Sequence, residues 1–338
     1  MQVTCAGIFV VDLIAADLPR VSRPGEITFA PRGIGTYIGG HSANVSIDLV
    51  KLGIAEGEVS CVGAVGEDLF GSFVEETLQK HRLKVNLQRA KKAGTSVDLI
   101  LVVKGQDRRY HVDVGANLYL SPSHVLSVVR KENPLIFYVG ATGLLGEFDT
   151  DLAKILREAK TRGCVTFVDP VVPYRKSWAH LLRAMEWIDV FHCNDKEALS
   201  ITNETDVVSA IRSLIDAGPR IVAVSFGGKG VMAATKNRLL RIKAFRVRVV
   251  DPTGAGDAFC AGTIRRLLTH IKRYDDRSLA LTEDELIDVL LEGEAAGGVC
   301  VTAVGTTSAV TRQNVDVLLD AQGSKVRRSV RIEKLVVQ

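Results

Sequence analysis

Between residues 135 and 226, apolar β-branched runs alternate with amphipathic segments, and that alternation restricts the fold more than any other feature of the chain. Strands are expected at 135–139, 164–168, 188–193 and 220–226, with helices at 150–160, 177–186, from Asn194 onward, and at 207–217. Strand–helix units of this size make a parallel sheet, wound by right-handed crossovers and covered by helices. Such sheets bind ligands outside the carboxyl ends of their strands, so the residues that close each strand are the ones to inspect.

The 338 residues, 46% of them hydrophobic, suffice for one large α/β domain. The run 3–11 reads as a buried strand that delivers Asp12 at its end, where a buried carboxylate needs a hydroxyl or cation partner and a polyhydroxy ligand would serve. Residues 16–38 carry Pro19, Pro24, Gly25, Pro31, Gly33 and Gly35 between short β-prone pieces, which predicts a hairpin excursion. A second hairpin is predicted from 95–103 and 108–114, which flank Lys104, Gly105, Gln106 and Asp107. Together they predict a small second sheet, a lid from about 16–38 and 95–115, on a single domain spanning 1–310. A strand at 58–64, a helix capped by Asp68 and a last helix over 284–301 complete the main body. Residues 311–338 form a carboxyl-terminal extension whose basic, β-prone end, 322–338, reads as a solvated edge or a short packed segment.

Lys plus Arg exceed Asp plus Glu by only 43 to 39, which gives no argument for a nucleic-acid partner. Six widely separated cysteines without a C-x-x-C pair read as reduced core thiols. His192 beside Cys193 lacks a second ligand pair nearby, so no zinc site is expected. No basic start precedes the first apolar run, which Asp12 interrupts after about ten residues, too short for a membrane span; the expectation is a cytoplasmic protein.

One stretch joins an anion site to a carboxylate: Asp251, Pro252, Thr253, Gly254, Ala255, Gly256, Asp257. Apolar residues at helical spacing follow it (Phe259, Ala261, Ile264, Leu267), so bare backbone N–H groups should point outward from a helix N-terminus. Taken alone, Asp257 could be no more than a cap or dipole partner. Gly39 and Gly40 lead into another helix. They either let strand meet helix or allow a ligand close to the backbone, with Asn44 a turn later to bond its hydroxyls. Asn194 and Glu197 share a face at a helix start, either as a capping pair or as holders of water around Mg²⁺. Two phosphate patterns fail. Gly230 after Lys229 breaks the Walker pattern, and the loose dinucleotide fingerprint at Gly228 runs into strand-like sequence where a helix is needed. That weakens a nicotinamide-dependent oxidoreductase.

Residues 251–262 resemble the carboxyl-terminal signature of the ribokinase-like (PfkB) family of sugar and nucleoside kinases, and 39–53 resemble its amino-terminal signature. The likeness continues through Asp12, residues 65–71, Asn194 with Glu197, and Ser225, Gly227 and Gly230, in family order over roughly residues 3–306. Two departures stand out. Residues 169–175 resemble the D-x-N-x-R segment of several sugar kinases but lack its Asn at a longer spacing, which bears on the substrate, and Thr263 replaces a usually apolar residue.

The resemblance implies a three-layer α/β sandwich with a mostly parallel central sheet and a small β-sheet lid. It also implies ATP-dependent transfer of the γ-phosphoryl group to a hydroxyl of a sugar, polyol or nucleoside. Asp257 would be the general base and Gly254, Ala255 and Gly256 the anion hole. Asp12, Gly39, Gly40 and Asn44 would hold the acceptor, while Asn194, Glu197, Ser225, Gly227 and Gly230 would hold ATP, with Glu197 on Mg²⁺ through water. Asp251 and Thr253 match positions where family members bind a monovalent cation such as K⁺. The implied partners are small molecules, with a homodimer through the lid as the protein assembly and with neither nucleic acid nor membrane. The lid, Arg108 and Arg109 included, is expected to decide the acceptor. A non-catalytic sugar or nucleoside sensor on the same fold stays open beside the kinase.

Overall fold

Among the described residues, fourteen strands carry the architecture. They are β1 (Val3–Gly7), β2 (Val10–Leu18), β3 (Ile34–Gly39), β4 (Val59–Gly66), β5 (Lys84–Ala90), β6 (Ser96–Val103), β7 (Arg109–Asp113), β8 (Ile136–Thr142), β9 (Val165–Pro170), β10 (Val190–Asn194), β11 (Ile221–Ser225), β12 (Val231–Thr235), β13 (Arg238–Ile242) and β14 (Arg331–Lys334). The structure is a computed structural model that describes residues 1–106, 108–275 and 277–335. Asp107 of the expected hairpin turn and residues 336–338 of the basic end lie outside the described residues.

The main sheet has ten strands in the order β14-β13-β12-β11-β10-β9-β8-β1-β4-β5. From β5 to β11 every pairing is parallel, and β12, β13 and β14 close one edge antiparallel. Both faces are apolar because side chains alternate with a period of two. Along β8, Ile136 and Tyr138 enter one core while Phe137 and Val139 enter the other. The first core is closed by helices His41–Lys51, Leu69–Lys80, Ala255–Tyr274 and Glu283–Cys300, the second by Pro122–Glu132, Leu152–Thr161, Asp195–Thr202 and Val207–Asp216. This is the expected three-layer sandwich.

The chain winds outward from β1 through β4 to β5, then returns and winds the other way from β8 to β11. The order reverses between β1 and β8, and a crevice opens outside the carboxyl ends of strands at such a point. A separate four-stranded sheet, β3-β2-β6-β7, is the lid.

Several elements differ from expectation. The single strand 3–11 is two strands in two sheets. At the joint, Asn117 accepts from the Phe9 N–H and donates to the Phe9 carbonyl, both at 3.1 Å, which satisfies the backbone while the chain changes sheet. Asp12 is therefore a residue of lid strand β2, not the end of β1. The expected helix 177–186 is only Ala179–Leu182 plus a 3₁₀ turn, Met185–Trp187. Strand β5 and helix Pro122–Glu132 were not expected. In the carboxyl-terminal extension, helices Arg312–Leu318 and Ser324–Arg328 precede β14, which pairs with β13 and presents four exposed residues at the sheet edge. All six cysteines are free and buried. Among the described residues no helix is long and apolar enough to cross a membrane.

Candidate active site

A cleft of about 490 Å³ runs along the carboxyl ends of β1, β9, β10 and β11 and under the lid. Of the residues singled out in the sequence, Asp12, Gly40, Asn44, Asn194, Glu197, Ser225, Gly227, Thr253, Gly254, Ala255, Gly256 and Asp257 line it. Gly39, Gly230 and Asp251 do not.

Gly254 begins helix Ala255–Tyr274 at φ 80°, and a Cβ there would lie 2.8 Å from Thr306 Cβ, so only glycine lets the loop pass Thr306. The first bond of the helix ladder joins the Ala258 N–H to the Gly254 carbonyl at 2.9 Å. Gly256 and Asp257, whose N–H groups precede that ladder, line the cleft at the positive end of the helix dipole. Gly256 meets no neighbour closer than 3.6 Å at its Cβ position, so its bareness leaves room on the cleft side.

Asp257, 8% exposed, occupies the first turn of this helix. Its Oδ2 accepts from Asn44 Nδ2 at 2.8 Å, and Asn44 Oδ1 accepts from Thr306 Oγ1 at 2.8 Å. Oδ1 is buried with no hydrogen-bond partner, and His41 Nε2 stands 4.0 Å away. Burial raises the Asp257 pKa, and His41 opposes that shift. Asn44 thus spends one amide hydrogen and its carbonyl on orienting Asp257, which differs from the expected bonds to ligand hydroxyls and leaves one amide hydrogen for them.

At the lid end, Asp12 on β2 stands beside Asp98 on β6, register partners in the parallel pair. Burial, then the charges of Asp98, Asp257 and Asp251, push the Asp12 pKa from 3.8 up to about 7. Gly39 serves this carboxylate: a Cβ at residue 39 would sit 2.3 Å from Asp12 Oδ2. Gly40, at φ 94°, is required where its backbone passes the Ile8 carbonyl, so strand–helix packing alone explains that glycine.

Toward β10 and β11, Asn194 and Glu197 form a reciprocal capping box on helix Asp195–Thr202, with bonds of 2.9 and 3.0 Å. Glu197 spends Oε2 in that box yet lines the cleft, so its remaining oxygen fits a water-mediated hold on Mg²⁺. Ser225 and Gly227 border the same end. Gly230, expected at the nucleotide, instead turns the chain between β11 and β12: at φ 103° its Cβ would lie 2.0 Å from the Ile242 carbonyl oxygen.

Asp251 and Thr253, expected to offer oxygens to a monovalent cation, do not fit one. Asp251 Oδ1 accepts from Arg108 Nη1 at 2.9 Å, the Thr253 N–H at 3.0 Å and Thr253 Oγ1 at 2.6 Å, and Arg108 also donates to Thr253 Oγ1. Those lone pairs face donors. Arg108 therefore serves the loop rather than the acceptor, and Arg109 bonds Gln106 on the exposed side of the lid.

Several cleft residues escaped the sequence reading: His41, Asp98, Tyr110 and Thr306. His41 directly follows the Gly-Gly pair and could have been noticed there. His192 pairs through Nδ1 with Asp169 at 3.0 Å, and Cys260 Sγ lies 3.4 Å from the same nitrogen. His192 thus has neighbours in space that its sequence surroundings lack: Asp169, His192 and Cys260 form a buried trio at ligand-like spacing, and the first two line the cleft.

The profile described as pfkB family carbohydrate kinase matches residues 2–313. A ribokinase of Haemophilus influenzae is 26% identical over 309 residues, covering 88% of this chain and 91% of its own. A fructokinase of Klebsiella pneumoniae is 28% identical over 309 residues, covering 84% and 93%. Among solved structures, ribokinase from Giardia lamblia superposes with a TM-score of 0.82 at 21% identity, covering 94% of this chain and 99% of that one. Arabidopsis thaliana ribokinase complexed with ribose and ATP gives 0.76 at 21%, covering 94% and 98%. With a family profile spanning nearly the whole chain and its motifs gathered in one cleft, the protein belongs to the pfkB family of carbohydrate kinases, phosphotransferases that use an alcohol group as acceptor.

Proposed function

We propose that the protein transfers the γ-phosphoryl group of ATP to a hydroxyl of an uncharged sugar, polyol or nucleoside, with Asp257 as general base. The observation that carries this reading is the buried Asp257 Oδ1, without a hydrogen-bond partner, at the helix N-terminus where Gly254, Ala255 and Gly256 present backbone to the cleft. A hydroxyl lying against Oδ1 finds an acceptor for its proton, and Asn44 holds the carboxylate in one orientation. The N–H groups of the loop and the helix dipole stabilise charge as it shifts onto the transferred phosphoryl. Ser225, Gly227 and Asn194 border the nucleotide end, and Glu197 is the carboxylate for Mg²⁺, which neutralises phosphate charge when bound. Asp12, Asp98 and the second amide hydrogen of Asn44 meet the acceptor's other hydroxyls.

Charge favours a neutral acceptor. Among the described residues lining the cleft there is no Lys or Arg, and its lid end carries two carboxylates, which would repel a second phosphate. The deciding experiment is ADP release from ATP and Mg²⁺ against pentoses, hexoses, polyols, nucleosides and phosphosugars. Turnover with an uncharged acceptor and little with phosphosugars is expected. Ligand binding without ADP release would favour the sensor, and a strong preference for a phosphosugar would refute the charge argument.

A further inference from the structure

We propose that Arg108, carried on the lid, is the resident cation of the loop 251–257, so that this chain's phosphoryl transfer does not draw on K⁺ or another monovalent metal ion; the idea rests on the kinase reading above. The loop carries Asp251 three residues before Gly254, where an uncompensated carboxylate would repel an incoming polyphosphate. A positive charge must answer it. Arg108 Nη1 does so at 2.9 Å from Asp251 Oδ1 and also donates to Thr253 Oγ1. The hydroxyl of Thr253 is fully committed, since its proton goes to Asp251 and its oxygen receives Arg108. The second carboxylate oxygen receives the Gly305 N–H at 3.3 Å.

The guanidinium is held in place. Its side chain is 17% exposed and its carbon lies 5.5 Å above the centre of the Tyr110 ring, whose residue lines the cleft. The segment after Gly305 is occupied in the same manner: Lys51 Nζ donates to the carbonyls of Thr307 and Ser308, the latter at 3.2 Å. Side-chain cations therefore pair with Asp251 Oδ1, Thr253 Oγ1 and the carbonyls of Thr307 and Ser308. Because Arg108 immediately precedes β7, the charge that balances the loop arrives with the lid.

The test compares KCl with tetramethylammonium chloride at equal ionic strength, using the full chain. Two readouts are taken, turnover with the best acceptor and the melting temperature in the presence of ATP. Wild type should differ by less than about twofold in turnover, the scale of a general salt effect, and should melt alike in both salts. Arg108→Ala should lose about tenfold or more in kcat/KM without K⁺, recover part of it when K⁺ is added, and melt higher in K⁺. Several-fold activation of wild type by K⁺, or a K⁺-dependent rise in its melting temperature, overturns the proposal. So does an Arg108→Ala protein that loses activity with no recovery in K⁺, the behaviour of a merely structural lid contact. Should that variant fail to fold, the wild-type comparison still decides. Melting needs no turnover, so an inactive protein would count against the kinase reading and leave the cation result to be judged alone.

Discussion

Asp12→Asn separates what the lid carboxylate costs the fold from what it does for a ligand. Asp12 is 6% exposed, and burial with the neighbouring Asp98 raises its pKa from 3.8 to about 7. The unfolded chain releases that proton near pH 3.8, whereas the native chain keeps it to about pH 7. Within that window the native state binds more protons, so stability falls as pH rises, and the penalty is complete above pH 7. A shift of roughly three units at about 1.4 kcal/mol each makes the full penalty about 4 kcal/mol. At pH 4.5 the same linkage leaves only about 1 kcal/mol.

Asparagine keeps the shape and cannot ionise. In urea unfolding, Asp12→Asn should therefore exceed wild type by about 4 kcal/mol at pH 8.5 and by about 1 kcal/mol at pH 4.5. The same variant should bind its acceptor more weakly with little change in the KM for ATP, because the ionised carboxylate accepts hydroxyl protons that an amide nitrogen cannot. An equal gain at both pH values, or none at pH 8.5, refutes the claim that a buried, ionising Asp12 strains the native state. An unchanged acceptor KM removes it from the acceptor site.

Three further outcomes are expected. Asp257→Asn should cut turnover by about 10² to 10⁴ while ATP affinity is largely kept, and near wild-type turnover would refute the base assignment. Gly230→Ala should destabilise the fold by about 1–3 kcal/mol, since its φ of 103° and the Ile242 carbonyl at 2.0 Å both oppose a side chain; the KM for ATP of the folded fraction should not move, and a selective loss of ATP affinity would restore Gly230 to the nucleotide site. Glu197→Gln should raise the Mg²⁺ concentration for half-maximal turnover, measured at saturating ATP, with an unchanged acceptor KM; an unaltered Mg²⁺ titration would leave the residue only its capping role.

The layers of the fold were legible because each strand–helix unit carries its own period. β8 alternates Ile136 and Tyr138 against Phe137 and Val139, and such a pattern is local. The loop from Asp251 to Asp257 was legible for the same reason: glycines, an acid and an apolar helix follow one another within a few residues. The change of sheet after Gly7 was not. Residues 3–11 carry no charge and, apart from Thr4, no polar group that would mark a break, and the bonds that divide them come from Asn117, more than a hundred residues away. Helix Pro122–Glu132 was missed although Pro122 marks its first turn, because Ser, His, Arg and Lys interrupt its apolar stripe.

What stayed hidden has a common physical cause. Asp12 meets Asp98 because β2 and β6 pair in parallel, and Arg108 meets Asp251 because the lid folds over the loop. Each pair joins segments that no periodicity links. These pairs also set the field of the cleft. Asp12 and Asp98 load its lid end with negative charge, and Arg108 cancels Asp251 at the loop, so the helix N-terminus at Gly256 and Asp257, with His41 beside it, is the positive side of the cleft. An uncharged polyhydroxy group suits the first end and a polyphosphate the second. If that division holds, removing the lid charge at Arg108 should weaken the nucleotide more than the acceptor, while removing it at Asp12 should do the reverse.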